Sequence, residues 1–126
     1  MILDTSVFIA FFHDTDVHHT KAVEIFKIAE ERKIIISDYL FNEIITVLLR
    51  KIGLKKVKQI IDFLLNDEAL IIRHTSRDEF FEVIDIFKKQ NDHLSFVDCS
   101  IIWLSKQHNL EVATFDKSLK QEILKI

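Results

Sequence analysis

Short apolar runs alternate with longer amphipathic ones along this chain, and no linker, low-complexity stretch or internal repeat interrupts them. Met1 to Leu3 reads as a short first strand. Ser6 to Phe12 reads as a short helix, although its β-branched and aromatic residues favour helix only weakly. From Val17 to Arg32, Ala22, Ile25, Phe26 and Ala29 recur at helical spacing. Ile34, Ile35 and Ile36 form the continuous apolar run of a buried parallel strand. Asp38 to Lys51 predicts a helix with Leu40, Ile44, Val47 and Leu48 on one side and Gly53 at its C-cap. Leu54, Val57, Ile60, Ile61, Leu64 and Leu65 mark another amphipathic helix, and Ala69 to Ile72 a third strand. Ser76 and Glu79 form an S-x-x-E capping box ahead of Phe80, Ile84 and Phe87. Ser95 opens a helix to about Gln107 that is apolar on nearly every side, as a buried helix is. Val112 to Phe115 reads as a fourth strand, and Asp116 starts a short terminal helix. Strands alternating with helices imply an α/β fold: a parallel sheet covered on both faces.

Composition narrows the class. A chain of 126 residues fits one domain, spanning 1–126. Its 48% hydrophobic residues are too many for a disordered chain. The longest stretch without a charged side chain, Thr5 to His13, is too short to span a bilayer, so no membrane association is expected. No basic region precedes an apolar segment at the N-terminus, which argues against a secretory signal. With a single cysteine, Cys99, there is no intramolecular disulfide framework and no multi-thiolate zinc site. The expected location is cytoplasmic. Average usage would give about nine glycines and six prolines, yet the chain has one and none. A P-loop and a G-x-G-x-x-G dinucleotide loop are thereby excluded. The net charge of -3 disfavours a simple basic nucleic-acid binder but leaves room for an enzyme that handles nucleic acid through bound metal.

The acids fall where ligands bind in open parallel sheets, beyond the carboxyl ends of strands. Asp4 follows the first strand and Asp38 the second, with Glu43 about one turn into the next helix. Asp98 lies in the first turn of the apolar helix, and Asp116 follows the fourth strand. Two carboxylates about 5 Å apart repel by roughly 3 kcal/mol at an effective dielectric of 20, so several together call for a cation. Oxygen ligands without cysteine or histidine suit Mg²⁺ or Mn²⁺. Each acid also has a plainer reading. Asp4 and Asp116 fit as helix N-caps, Asp98 completes an S-x-x-D box with Ser95, and Glu43 fits a solvated helix face. Their joint placement at one sheet edge favours a metal site.

These residues resemble a known family. The run ILDTSVFIAFF, with Asp4 and Ser6, is similar to the opening of PIN-domain nucleases. SDYLFNEIITVLLRK, with Glu43, resembles that family's second motif, and LSFVDCSIIWLSKQHNLEVATFDKSL its third and fourth. The resemblance spans almost the whole chain. It implies a three-layer α/β/α fold around a parallel sheet of four or five strands. It also implies Mg²⁺- or Mn²⁺-dependent cleavage of RNA through metal-activated water. Asp4, Glu43, Asp98 and Asp116 carry over as the acidic quartet, with Ser6 in support. Two positions depart from the pattern. Phe115 stands where many relatives have a polar residue, and Cys99 where alanine is common. Many compact members are VapC-type toxins paired with an antitoxin protein, and the resemblance implies a homodimer.

Other features read as follows. Arg50, Lys51, Lys55, Lys56 and Lys58 place five positive charges in nine residues, which are RNA contacts or the polar face of a helix. His18 and His19 read as solvated, and the eleven phenylalanines mainly as core, with an exposed ring possible at Phe80 or Phe81. Leu54 to Leu65 reads as an intrachain core face, with a subunit contact as the alternative. Competing functions are a stand-alone RNA-processing PIN nuclease and a PIN domain that binds RNA or protein without cutting. A haloacid-dehalogenase-like phosphohydrolase ranks last, because Ser6 stands where that family needs a second aspartate.

Overall fold

A computed structural model describes residues 1–125. Four strands and seven helices alternate among the described residues: β1 (Ile2–Leu3), α1 (Thr5–Phe12), α2 (His19–Arg32), β2 (Ile34–Ser37), α3 (Asp38–Ile52), α4 (Leu54–Asn66), β3 (Leu70–Arg73), α5 (Arg77–Lys89), α6 (Phe96–His108), β4 (Val112–Ala113) and α7 (Lys117–Leu124). The strands form one parallel sheet in the order β3-β2-β1-β4, with helices on both faces. The fold is thus the expected three-layer α/β/α, with four of the four or five strands expected.

β1 is two residues long yet lies inside the sheet, with Ile2 facing Ile35 on one side and Val112 on the other. Ile2, Leu3, Ile34 and Ile36 are fully buried, as apolar strands covered on both faces must be. The chain steps from β1 through β2 to β3 in one direction, then returns across the sheet to place β4 on the other side of β1. The order therefore reverses between β1 and β4, and a crevice opens beyond their carboxyl ends at such a switch point.

Helical elements follow the apolar periodicity closely. In α6 every residue from Cys99 to Ser105 is buried, because the helix packs against α3, α5 and α7. α1 packs on α2 and α3, where Phe8 meets Phe26 edge-on with ring centroids 6.1 Å apart. Gly53 has φ +85°, a conformation open to glycine without steric cost, and it turns α3 directly into α4.

Three expectations shift at element ends. α2 begins at His19 rather than Val17, since Asp16 accepts a hydrogen bond from the His18 N–H and holds a turn there. The fourth strand stops at Ala113, because Thr114 and Phe115 direct their groups to residues 4 and 6 instead of a ladder. Ser76 caps α5 by accepting from the Glu79 N–H, but the Glu79 carboxylate is engaged by Arg73 in a bidentate pair at 2.7 Å.

Candidate active site

Asp4 lies at the switch point and is only 4% exposed. Its carboxylate accepts three hydrogen bonds: Oδ1 from the Thr5 N–H at 2.7 Å, and Oδ2 from Ser6 Oγ at 3.0 Å and Thr114 Oγ1 at 2.7 Å. Two hydroxyls and an amide thus fix its direction. Thr114 Oγ1 in turn accepts from the Asp116 N–H, and Ser6 Oγ accepts from the Phe115 N–H. These bonds tie the end of β4 to the start of α1 across the crevice.

Asp116 is exposed and caps α7, its Oδ1 accepting from the Leu119 N–H at 3.1 Å. Asp98 forms a complete capping box with Ser95, each side chain accepting from the other's N–H at 3.1 Å. Burial pushes the Asp98 carboxyl above its usual range, and the charges of Asp4 and Asp116 add to that against the hydrogen bonds from Ser95. Asp4 and Asp116 thus both act on Asp98. The ion pairs among the described residues are Arg32–Glu111, Arg73–Glu79 and Lys125–Glu122, so no basic side chain pairs with the cluster.

An uncompensated set of oxygen donors fits a hard divalent cation in charge and chemistry. The side chains as they stand serve their helix caps, and among the described residues no three acidic, imidazole or thiol groups converge on one point. One Asp98 oxygen and one Asp116 oxygen stay outside the caps. Cys99 offers no soft ligand. Burial, then the Asp98 and Glu122 charges, push its thiol up to about 11, so it stays protonated.

Of the residues expected at the site, Ser6 bonds Asp4 directly, and the charges of Asp4 and Asp116 act on Asp98. Glu43 is half-buried on α3, which packs against both α1 and α6, but its charge is not among those acting on Asp98. Arg50, Lys51, Lys55 and Lys56 are exposed at the α3–α4 turn. Asp38 lies outside the cluster. Burial raises its pKa, but hydrogen bonds from Thr75 and Tyr39 outweigh that and hold it low, fixing the loop that follows β3.

Thr114 is the site residue that sequence reasoning missed. The available signal was a hydroxyl two residues before the last acid, a spacing that lets it accept from that residue's N–H. Of the two adjacent histidines, His18 is exposed as expected and His19 is not. His19 is half-buried with Nδ1 2.7 Å from the Ala10 carbonyl, and His18 stacks on Phe115 with ring centroids 4.4 Å apart.

Comparisons with known proteins agree with this geometry. The crystal structure of Mycobacterium tuberculosis VapC20, described as a Sarcin-Ricin loop cleaving toxin, superposes with a TM-score of 0.84 at 17% identity, covering 95% of this chain and 92% of that one. At that identity the likeness concerns the fold. No curated protein matches the chain. The family model of the PIN domain matches residues 1–121, which takes in the crevice and all four expected acids, and the chain belongs to the PIN domain family.

Proposed function

We propose that this chain is a divalent-metal-dependent endoribonuclease, a single PIN domain over residues 1–126 that acts as the toxin of a VapBC-type pair. The observation that carries the reading is the set of aspartates about the switch point: the charges of Asp4 and Asp116 both disfavour ionised Asp98, and among the described residues no basic side chain pairs with any of the three. Family membership and the VapC-like fold support it.

Asp4, Asp98 and Asp116 would hold Mg²⁺ or Mn²⁺, with Glu43 approaching from α3. When bound, such an ion supplies an acidified water and neutralises charge developing on the phosphate oxygens. The chain's own groups do the positioning. Ser6 and Thr114 fix Asp4 in direction, and the Ser95 box fixes the Asp98 backbone. Arg50, Lys51, Lys55 and Lys56 contribute phosphate contacts at the α3–α4 turn.

The cellular reading comprises cytoplasmic action, an antitoxin protein that covers the site, and a homodimer. No helix among the described residues is long and apolar enough to cross a membrane. Leu54 and Leu65 of α4, 58% and 61% exposed, give a second subunit apolar surface to cover.

A second reading, a PIN domain that binds without cutting, draws on the engagement of the aspartates in caps. One experiment separates the two. Purified protein is incubated with a mixed RNA pool in Mn²⁺, Mg²⁺ or EDTA, beside Asp98→Asn prepared identically. Cleavage that needs metal and vanishes in the variant is expected. A folded, metal-supplied protein that leaves RNA intact and shows no heat of Mn²⁺ binding would overturn the nuclease.

A further inference from the structure

A cavity of about 440 Å³ lies between α2 and α7 along β4. Its volume falls within the range of small-ligand pockets. His18, Lys21 and Ile25 line it from the α2 side, and Phe115, Lys120 and Ile123 from the β4–α7 side. The acid cluster is its immediate neighbour: Thr114, another lining residue, donates to Asp4 Oδ2, and the backbone of Phe115 bonds Ser6.

The lining combines two chemistries. The His18 and Phe115 rings stack at 4.4 Å with an interplanar angle of 12°. Lys21 and Lys120 are exposed on opposite walls, and among the described residues no ion pair holds either. An aromatic platform beside free ammonium groups matches a nucleotide, whose base stacks and whose phosphate needs a cation. An extended peptide fits less well. β4 has only two residues in ladder geometry, so its open edge offers too few groups for strand addition.

We propose that this cavity is a nucleotide subsite, taking a base of the RNA next to the scissile phosphate against the His18–Phe115 rings, with the adjoining phosphate on Lys21 and Lys120. The proposal rests on the ribonuclease reading and adds a substrate contact to it. It gives Phe115, the position where many relatives carry a polar side chain, a role in RNA binding.

The test uses a fluorescently labelled single-stranded RNA of about 12 nucleotides, followed by anisotropy in EDTA, and by cleavage in Mn²⁺. Phe115→Leu keeps bulk but removes the π-face, and Phe115→Trp restores it. Phe115→Leu is expected to weaken RNA binding about 5- to 150-fold, the range of one lost base stack, and Phe115→Trp to recover it. In cleavage, KM should rise while kcat holds. Lys120→Glu should also weaken binding and lower its salt slope by about one counterion. Unchanged melting temperatures certify the fold. Cleavage by wild type with KM unaltered in Phe115→Leu and Lys120→Glu would overturn the subsite and leave the nuclease standing. If wild type cuts nothing, the anisotropy arm still decides: weakened binding in both variants supports the subsite, and unchanged binding overturns it. Competition by poly-glutamate that matches RNA and ignores Phe115→Leu would also overturn it, in favour of an acidic protein partner.

Discussion

Asp98 serves two masters in this fold, and substitution can separate them. As a cap it accepts the Ser95 N–H through Oδ2, while its own N–H donates to Ser95 Oγ. As a charge it is partly buried beside Asp4 and Asp116, which disfavour its ionised form. Asp98→Asn keeps an oxygen for Ser95 and removes the charge; Asp98→Ala removes both. The difference between the variants isolates the side-chain half of the box, worth about 1 kcal/mol. For a domain of this size that is roughly 3–5 °C in melting temperature. Asn should therefore melt at or above wild type in EDTA, since repulsion is relieved, and Ala a few degrees below Asn. Turnover should fall by at least about 100-fold in both, the scale of losing a group that acts only in the transition state. Mn²⁺ at about 100 times its Kd should stabilise wild type by about 2.7 kcal/mol, and neither variant comparably. Scanning calorimetry with and without Mn²⁺, beside a cleavage assay, reads all of these. An Asn variant that cuts RNA within a few-fold of wild type would reduce Asp98 to a helix cap and refute the reasoning.

Three further outcomes are expected. The Arg73 guanidinium, hydrogen-bonded to Glu79, holds that carboxyl below the usual range. Glu79→Gln should then cost roughly 1–2 kcal/mol at neutral pH, and urea titrations of the two proteins should converge as pH falls through the lowered value and wild type loses the pair. Lys33 follows α2 at φ 69° and ψ 140°, a region that strains any side chain bearing a Cβ; Lys33→Gly should raise stability by about 1 kcal/mol, read as a higher denaturation midpoint. Reversing charge at Lys55 and Lys56, both exposed, should weaken RNA binding and flatten its log–log salt dependence by about two, with an unaltered slope assigning them to a solvated helix face.

Local patterns were legible where local physics decides them. α3, α4 and α6 emerged from their apolar spacing within a residue or two, because burying one face dominates the choice of helix there. The Ser95 box was visible because its partners are three residues apart. The placement of Asp4 and Asp116 after strands was legible in the chain, although spacing alone could not say that β1 and β4 are neighbours. Contacts between distant segments were illegible. Arg73 captures the Glu79 carboxylate that the local motif assigns to a cap. Thr114 and the His18–Phe115 stack take their meaning from residues about a hundred positions away, which no periodicity encodes. Glu43 marks the opposite gap: its motif is clear in the chain, while its side chain makes no recorded bond to the aspartates.

The place of β1 inside the sheet has a consequence for synthesis. The strand is made well before its neighbour β4, and Asp4 waits for a hydroxyl 110 residues downstream. β2 can pair with β1, and β3 with β2, as soon as they appear, whereas the crevice has only one wall until β4 docks. A nascent chain stalled or truncated before Val112 would carry Asp4 and Asp98 but no Thr114 or Asp116. The Asp4 carboxylate thereby lacks its Thr114 bond until β4 has been made and has docked on β1.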